Sequence, residues 1–594
     1  MSHPTLDYTL LITDWKKHQF TVSLSIPEHD HPKLTLTMPS WIPGSYMVRD
    51  FARNVITLYA QQADTNNPLS VVKTDKQTWE VVTDGSPATV NYTVYANDLS
   101  VRSAFINHEY AFINGTCAFL SVDEFEHANY QLTIGKPSMP WKLNTTLPFK
   151  CENDNEWVFN AVKYEELIDH PIYIGIADVY SFDVDGVSFE LLFSGKNNID
   201  LKRIADDLTP ICKHHMRLFG EPQPIDNYLF MTLLAATGFG GLEHRASTAL
   251  LFPRFDLPMI GDDTSVKSES YITFLSLCSH ELFHTWHVKR IKPKVLVSPS
   301  LASETYTNQL WIYEGFTSFY DDVTLARVGL ISPQQYADII AKTMTRLLQN
   351  EGRLKQTVAE SSFDAWTKFY KQDASAANNI VSYYAKGGII ALGLDLLLRR
   401  QSNNTVNLDD LMVLLWEHYG RELKGTPDDV IQTLCMAHFQ IDVSDYLNKV
   451  VYGTEDVALM DHLPAIGLSM QTRAKINADD KGGTTSAKTV KRQLGATLKP
   501  VAQGLSVVQV FEGLAAMEAG ILLNDVIIAI DGYVVDQKLL PRLLDTTQAL
   551  SADVTLIRDG KLLSVTLPVK DAREDACFFT IEDQSAFETW LSSK

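Results

Sequence analysis

The chain has 594 residues, 45% hydrophobic and 21% charged, an ordinary globular composition at a length that needs several domains rather than one core. A formal net charge of −21 excludes nucleic acid and anionic membrane as expected partners, since both select basic surfaces. Six cysteines without a C-x-x-C spacing argue against a disulfide framework and a thiolate zinc site, and the start lacks a signal-like segment, so a cytoplasmic chain is expected.

Residues 1–195 read as a β-rich domain, a sandwich of short strands. Apolar residues alternate at Phe20, Val22, Leu24 and Ile26, and again at Leu34, Leu36 and Met38. Asp185-Gly186 is a two-residue hairpin signal. From about Asp200 to residue 465 the spacing turns helical, and 196–470 is expected to be one mostly helical domain. Its most apolar segment, Gly387 to Leu398, is too short to cross a membrane and contains Asp395, so it reads as a buried helix. Residues 471–493 are polar and read as a linker or exposed loop. Short strands return over 494–572, with a second hairpin signal at Asp559-Gly560, and 573–594 reads as a C-terminal tail.

His280-Glu281-Leu282-Phe283-His284 is an H-E-x-x-H pattern. On a helix, positions i and i+4 project from one face, so two imidazoles can share one zinc ion while Glu281 serves as general base toward a water. A catalytic zinc takes three protein ligands and keeps one position open. The segment WIYEGFTSFYDD offers Glu314 on an apolar, aromatic-rich helix. Asp321, seven residues on, returns to the same face, where it could orient a ligand histidine or be a solvated surface acid.

H-E-x-x-H followed by W-x-x-E-G-F resembles the gluzincin zinc metallopeptidases related to aminopeptidase N. Twenty-nine residues separate His284 from Glu314, more than those enzymes usually have, and Glu304 lies nearer the usual spacing. Glu304 sits in a polar stretch without the surrounding motif, so Glu314 is the preferred third ligand. The long spacing, HTWHVKRIKP after the motif and WIPGSYMVRDFARN near the start are similar to the glycyl aminopeptidase family, which couples such a domain to a PDZ domain. The resemblance implies a β-sandwich, a thermolysin-like mostly helical catalytic domain and a C-terminal PDZ domain, with one zinc per chain. His287 reads as structural or as a support for the ligands.

Gly241-Leu242-Glu243-His244 is similar to the segment that forms an edge strand beside the metal in aminopeptidase N relatives. The resemblance implies that backbone at Gly241 and Leu242 binds the substrate chain and Glu243 grips its free amine; His244, where relatives have asparagine, is a departure. Tyr384-Ala385-Lys386-Gly387 matches a Y-x-K-G segment, which implies that Tyr384 hydrogen-bonds the developing oxyanion, with Tyr383 as the competing choice. GLAAMEAGILLNDVIIAIDGYVV resembles a PDZ core, implying a C-terminal peptide ligand with the Leu494-Gly495 loop at its carboxylate, or a module that only packs. The expected function is aminopeptidase action on peptides with a free N-terminus, favouring small first residues such as Gly or Ala. The alternatives are a zinc endopeptidase and a PDZ-containing adaptor with an inactive peptidase domain.

Overall fold

The alternation at Phe20, Val22, Leu24 and Ile26 is a strand, Gln19–Ile26, with all four side chains buried. The computed structural model describes residues 3–483 and 488–592. The chain divides into two units, Met1–Thr305 with Leu415–Thr426, and Tyr306–Leu414 with Pro427–Lys594. The expected catalytic region 196–470 is thus shared between them.

In the first unit, Gln19–Ile26 lies within an eight-stranded sheet running from Phe149–Glu152 at one edge to Pro68–Leu69 at the other. Two four-stranded sheets join it around a single core that includes Leu10, Val22, Leu36, Phe112 and Ile174. This β-rich part ends before residue 195. Ala177–Val184 and Val187–Ser194 form a hairpin through Asp185-Gly186, both with positive φ, and belong to the next sheet.

That five-stranded sheet continues with Asn227–Ala235, Ser247–Pro253 and, at its edge, Gly240–Glu243. The inner strands pair in parallel and the edge strand is antiparallel to its neighbour. These strands lie at the start of the region 196–470, which is otherwise mostly helical as expected. The run YLFMTLLA is buried almost end to end, and a strand buried on both faces has the same continuous apolar pattern as a buried helix. Helices Leu201–Phe219 and Glu269–Phe283 meet where His215 Nε2 approaches Ser279 Oγ at 2.9 Å.

In the second unit, helices Gly315–Arg327 and Tyr383–Gln401 cross with their backbones touching at Gly315 and Gly387. A Cβ at 387 would lie 2.8 Å from Gly315 Cα and 2.8 Å from Trp311 O. Asp395, inside the apolar helix, is 1% exposed. It accepts hydrogen bonds from Arg399 Nε, the Leu408 amide and Trp590 Nε1, at 2.9, 3.0 and 2.7 Å, so its burial is compensated.

Trp590 shows that the expected tail is structural. Ala576–Ile581 pairs with Leu468–Arg473, and helix Gln584–Leu591 places Phe587 and Trp590 against Tyr336. The expected linker 471–493 also begins inside a strand, and Arg473 forms a buried ion pair with Asp480; residues 484–487 of it lie outside the described residues. The C-terminal sheet runs Ala496–Val501, Gly504–Val510, Val526–Ile530, Ser551–Arg558, Lys561–Pro568 around its own core. Asn524, where PDZ sequences often have glycine, has φ +69°, which asparagine tolerates. Asn378 pins this module to the helices: its amide nitrogen donates to Val510 O at 2.8 Å and its oxygen accepts from the Glu512 amide at 2.9 Å.

Candidate metal and substrate site

The H-E-x-x-H helix, Glu269–Phe283, starts at a cap in which Ser268 Oγ accepts from the Tyr271 amide at 3.1 Å. Ten of its fifteen residues are buried, and His284 closes its C-terminal end. The rings of His280 and His284 lie 4.6 Å apart and perpendicular, with ligand nitrogens within 4.8 Å. His284 Nδ1 is 2.8 Å from His287 O. A carbonyl only accepts, so Nδ1 carries the proton and Nε2 keeps the lone pair a metal needs. His287 therefore acts through its backbone, orienting the His284 ring. These nitrogens suit a borderline cation such as zinc.

Glu281, 5% exposed, is pressed against the edge strand: a Cβ built at Gly241 would overlap its carboxylate. Only glycine leaves room there. Glu243, Glu281 and His284 bring a ligand atom each within 4.8 Å of one another. Two carboxylates this close repel, so the arrangement favours cations between them. Glu243 is 4% exposed, with Gly44 of the WIPGSY run packed on its carboxylate, and its Oε1 has no hydrogen-bond partner among the described residues. The Leu242 side chain belongs to the core and its carbonyl accepts from Thr248 Oγ1, so only its backbone could serve a substrate.

His244 ties the end of this strand to Asp169, with Nδ1 at 3.3 Å from Oδ1. Lys289 Nζ lies 2.8 Å from the same oxygen and Arg245 Nε 3.7 Å from the other. Burial raises the Asp169 pKa, but Lys289, His244 and Arg245 outweigh it and hold the carboxyl well below its usual range. Asp169, Lys289 and the Ser100–Ser103 loop discussed below carry no local sequence signal, because their partners are distant in the chain.

In the second unit, Glu314 is 2% exposed at the junction of helices Leu310–Tyr313 and Gly315–Arg327. The Gly315–Gly387 crossing sets that junction against the start of helix Tyr383–Gln401, where Ser382 caps and Tyr384 follows. Tyr383 is fully buried among aromatic rings, whereas Tyr384 is half-buried and its hydroxyl lies 3.0 Å from that of Tyr370. Burial first, then the nearby Glu314 charge, holds the Tyr384 hydroxyl well above the usual phenol range, so it stays a donor. Asp321 is 9% exposed and lines a cavity of about 170 Å³ with Tyr384, so it is not a surface acid. Glu304 sits in an irregular loop and belongs to no cluster of metal-ligating side chains among the described residues.

The Peptidase M61 N-terminal domain family matches residues 7–176, M61 glycyl aminopeptidase matches 273–390 and the PDZ domain matches 492–569. A crystal structure of an aminopeptidase N family protein from Idiomarina loihiensis is 36% identical, with a TM-score of 0.95 over 99% of this chain and 100% of that one. An M1 zinc metallopeptidase from Deinococcus radiodurans is 12% identical, with a TM-score of 0.44 over 73% of this chain and 90% of that one. No curated protein matches the sequence.

Proposed function

In a chain that belongs to the M61 glycyl aminopeptidase family of zinc metallopeptidases, we propose that His280, His284 and Glu314 hold one zinc ion and that the enzyme removes the first residue of peptides with a free N-terminus. The observation that carries this reading is the order of groups along one edge strand. Gly241 rests on the Glu281 carboxylate, and Glu243, two residues on, brings a carboxylate oxygen within 4.8 Å of one on Glu281. An amine held at Glu243 thus leaves room for one residue before the reacting carbonyl.

When bound, the metal acidifies water and polarises the substrate carbonyl. Glu281 takes the proton of the attacking water and returns it to the leaving amine. The Tyr384 hydroxyl donates to the oxyanion, a charge present only at the transition state. Backbone of Gly241 and Leu242 aligns the peptide, and Asp321 supports the ligand set. A preference for small first residues, Gly or Ala, is supported by the family description alone. A cytoplasmic location belongs to the same proposal, and six free thiols suit a reducing compartment. For the PDZ module we propose a C-terminal peptide at the Leu494-Gly495 loop, beside the edge strand Ala496–Val501.

The test is Glu281→Gln. The variant should keep one zinc per chain and lose activity by about 100-fold or more, because an amide cannot accept water's proton. Full activity in that variant would overturn the mechanism.

A further inference from the structure

Arg102 reaches the substrate strand from a loop of the β-rich region. Its Nη2 donates to Gly241 O at 3.1 Å, and a Cβ at Gly240 would lie 3.4 Å from Nη1. The loop is held rigidly: fully buried Asn114 donates its amide to the carbonyls of Val101 and Ser103, both at 2.9 Å. The guanidinium itself is underused. Arg102 has no carboxylate partner among the described residues, and its Nε is buried without a hydrogen-bond acceptor. The side chain is half-buried, and a buried N–H without an acceptor is costly unless something else meets it.

Its position along the strand says what that is. Glu243, Gly241 with Glu281, and Gly240 with Arg102 follow in order, an anion, the proposed base and then a cation. From Glu243 to Gly240 is three strand steps, about 10 Å. An extended tripeptide spans about the same length between its charged ends. We propose that Arg102 binds the C-terminal carboxylate of a short peptide, making tripeptides the substrate class. The guanidinium fork suits a carboxylate, which it can grip through two parallel hydrogen bonds. This inference rests on the aminopeptidase reading, with Glu243 at the amine.

The experiment compares zinc-loaded parent enzyme, Arg102→Met and Arg102→Lys on three peptides: Ala-Ala-Ala, its C-terminal amide and its N-acetyl form. The parent should prefer the free acid over the amide by about 10-fold or more in kcat/KM. Arg102→Met should lose that preference, with the acid falling about 10- to 100-fold and the amide changing less than about 3-fold. Arg102→Lys, which keeps the charge but not the fork, should fall between. Equal rates on acid and amide in the parent, or an equal loss on both in Arg102→Met, would overturn the inference and leave Arg102 as a tie between loop and strand. Cleavage of the acetylated peptide as fast as the free one would instead sink the aminopeptidase reading.

Discussion

Gly241 lies so close to Glu281 that any side chain at position 241 would occupy the space of the Glu281 carboxylate. The proposed base is thus positioned by a strand, which also carries Glu243 two residues on. Gly241→Ala should lower kcat/KM by about 100-fold through displacement of the base, since a misplacement near 1 Å costs about that much. Zinc content should not change. Near-parental activity would show that Glu281 does not depend on this contact.

The Gly315–Gly387 crossing predicts a stability effect opposite in sign to helix propensity. Alanine is favoured over glycine inside a helix by about 1 kcal/mol. At 387, however, the new Cβ would meet the backbone of Gly315 and Trp311 at 2.8 Å, and backbone cannot yield as a side-chain tip can. Gly387→Ala should therefore be destabilising by about 1–3 kcal/mol in thermal unfolding. A raised melting temperature would mean the helices separate freely.

Asp169 links stability to pH. Its folded pKa is depressed by Lys289, His244 and Arg245, so its contribution is fully present above the unfolded value of about 4 and is lost as pH falls below it. Asp169→Asn leaves Lys289, whose side chain is 6% exposed, without its anion, at a cost of about 3–5 kcal/mol at neutral pH. The gap in melting temperature between parent and variant should narrow below pH 4. A gap constant down to pH 3 would contradict the ion-pair account.

Trp590 anchors the C-terminal helix to Asp395 in the second unit. Trp590→Ala removes a ring stacked on Phe587 and leaves Asp395 with one donor fewer, so a loss of about 3–5 kcal/mol is expected. Truncation after residue 572 should destabilise further by stripping the partner strand from Leu468–Arg473. An unchanged melting temperature in the truncated chain would restore the reading of 573–594 as a tail.

Much of the fold was legible because its signals are local. Period-two alternation, the two Asp-Gly turns and the H-E-x-x-H helix depend on neighbours in sequence. The parallel strands at Asn227–Ala235 and Ser247–Pro253 were not, since burial on both faces erases alternation. At the site, His280, His284 and Glu243 follow from motif and resemblance. Arg102, Asp169 and Tyr370 do not: each acts through a contact made only when distant segments meet. The last twenty residues carry no local signal, and their docking through Trp590 depends on Asp395, distant in the chain.

The most direct test of the central claim is the rate of hydrolysis of an alanyl peptide and its N-acetyl form by parent enzyme and Glu243→Ala. A free amine is cationic near neutral pH, with a pKa of about 8, and needs an anion in a buried site. The account predicts that the parent cuts only the free peptide well. Glu243→Ala should lower that rate by about 2–4 kcal/mol of transition-state binding while leaving the acetylated substrate almost unaffected. A parent that cuts both peptides equally, or a variant in which both fall together, would contradict the account and mark the enzyme as an endopeptidase.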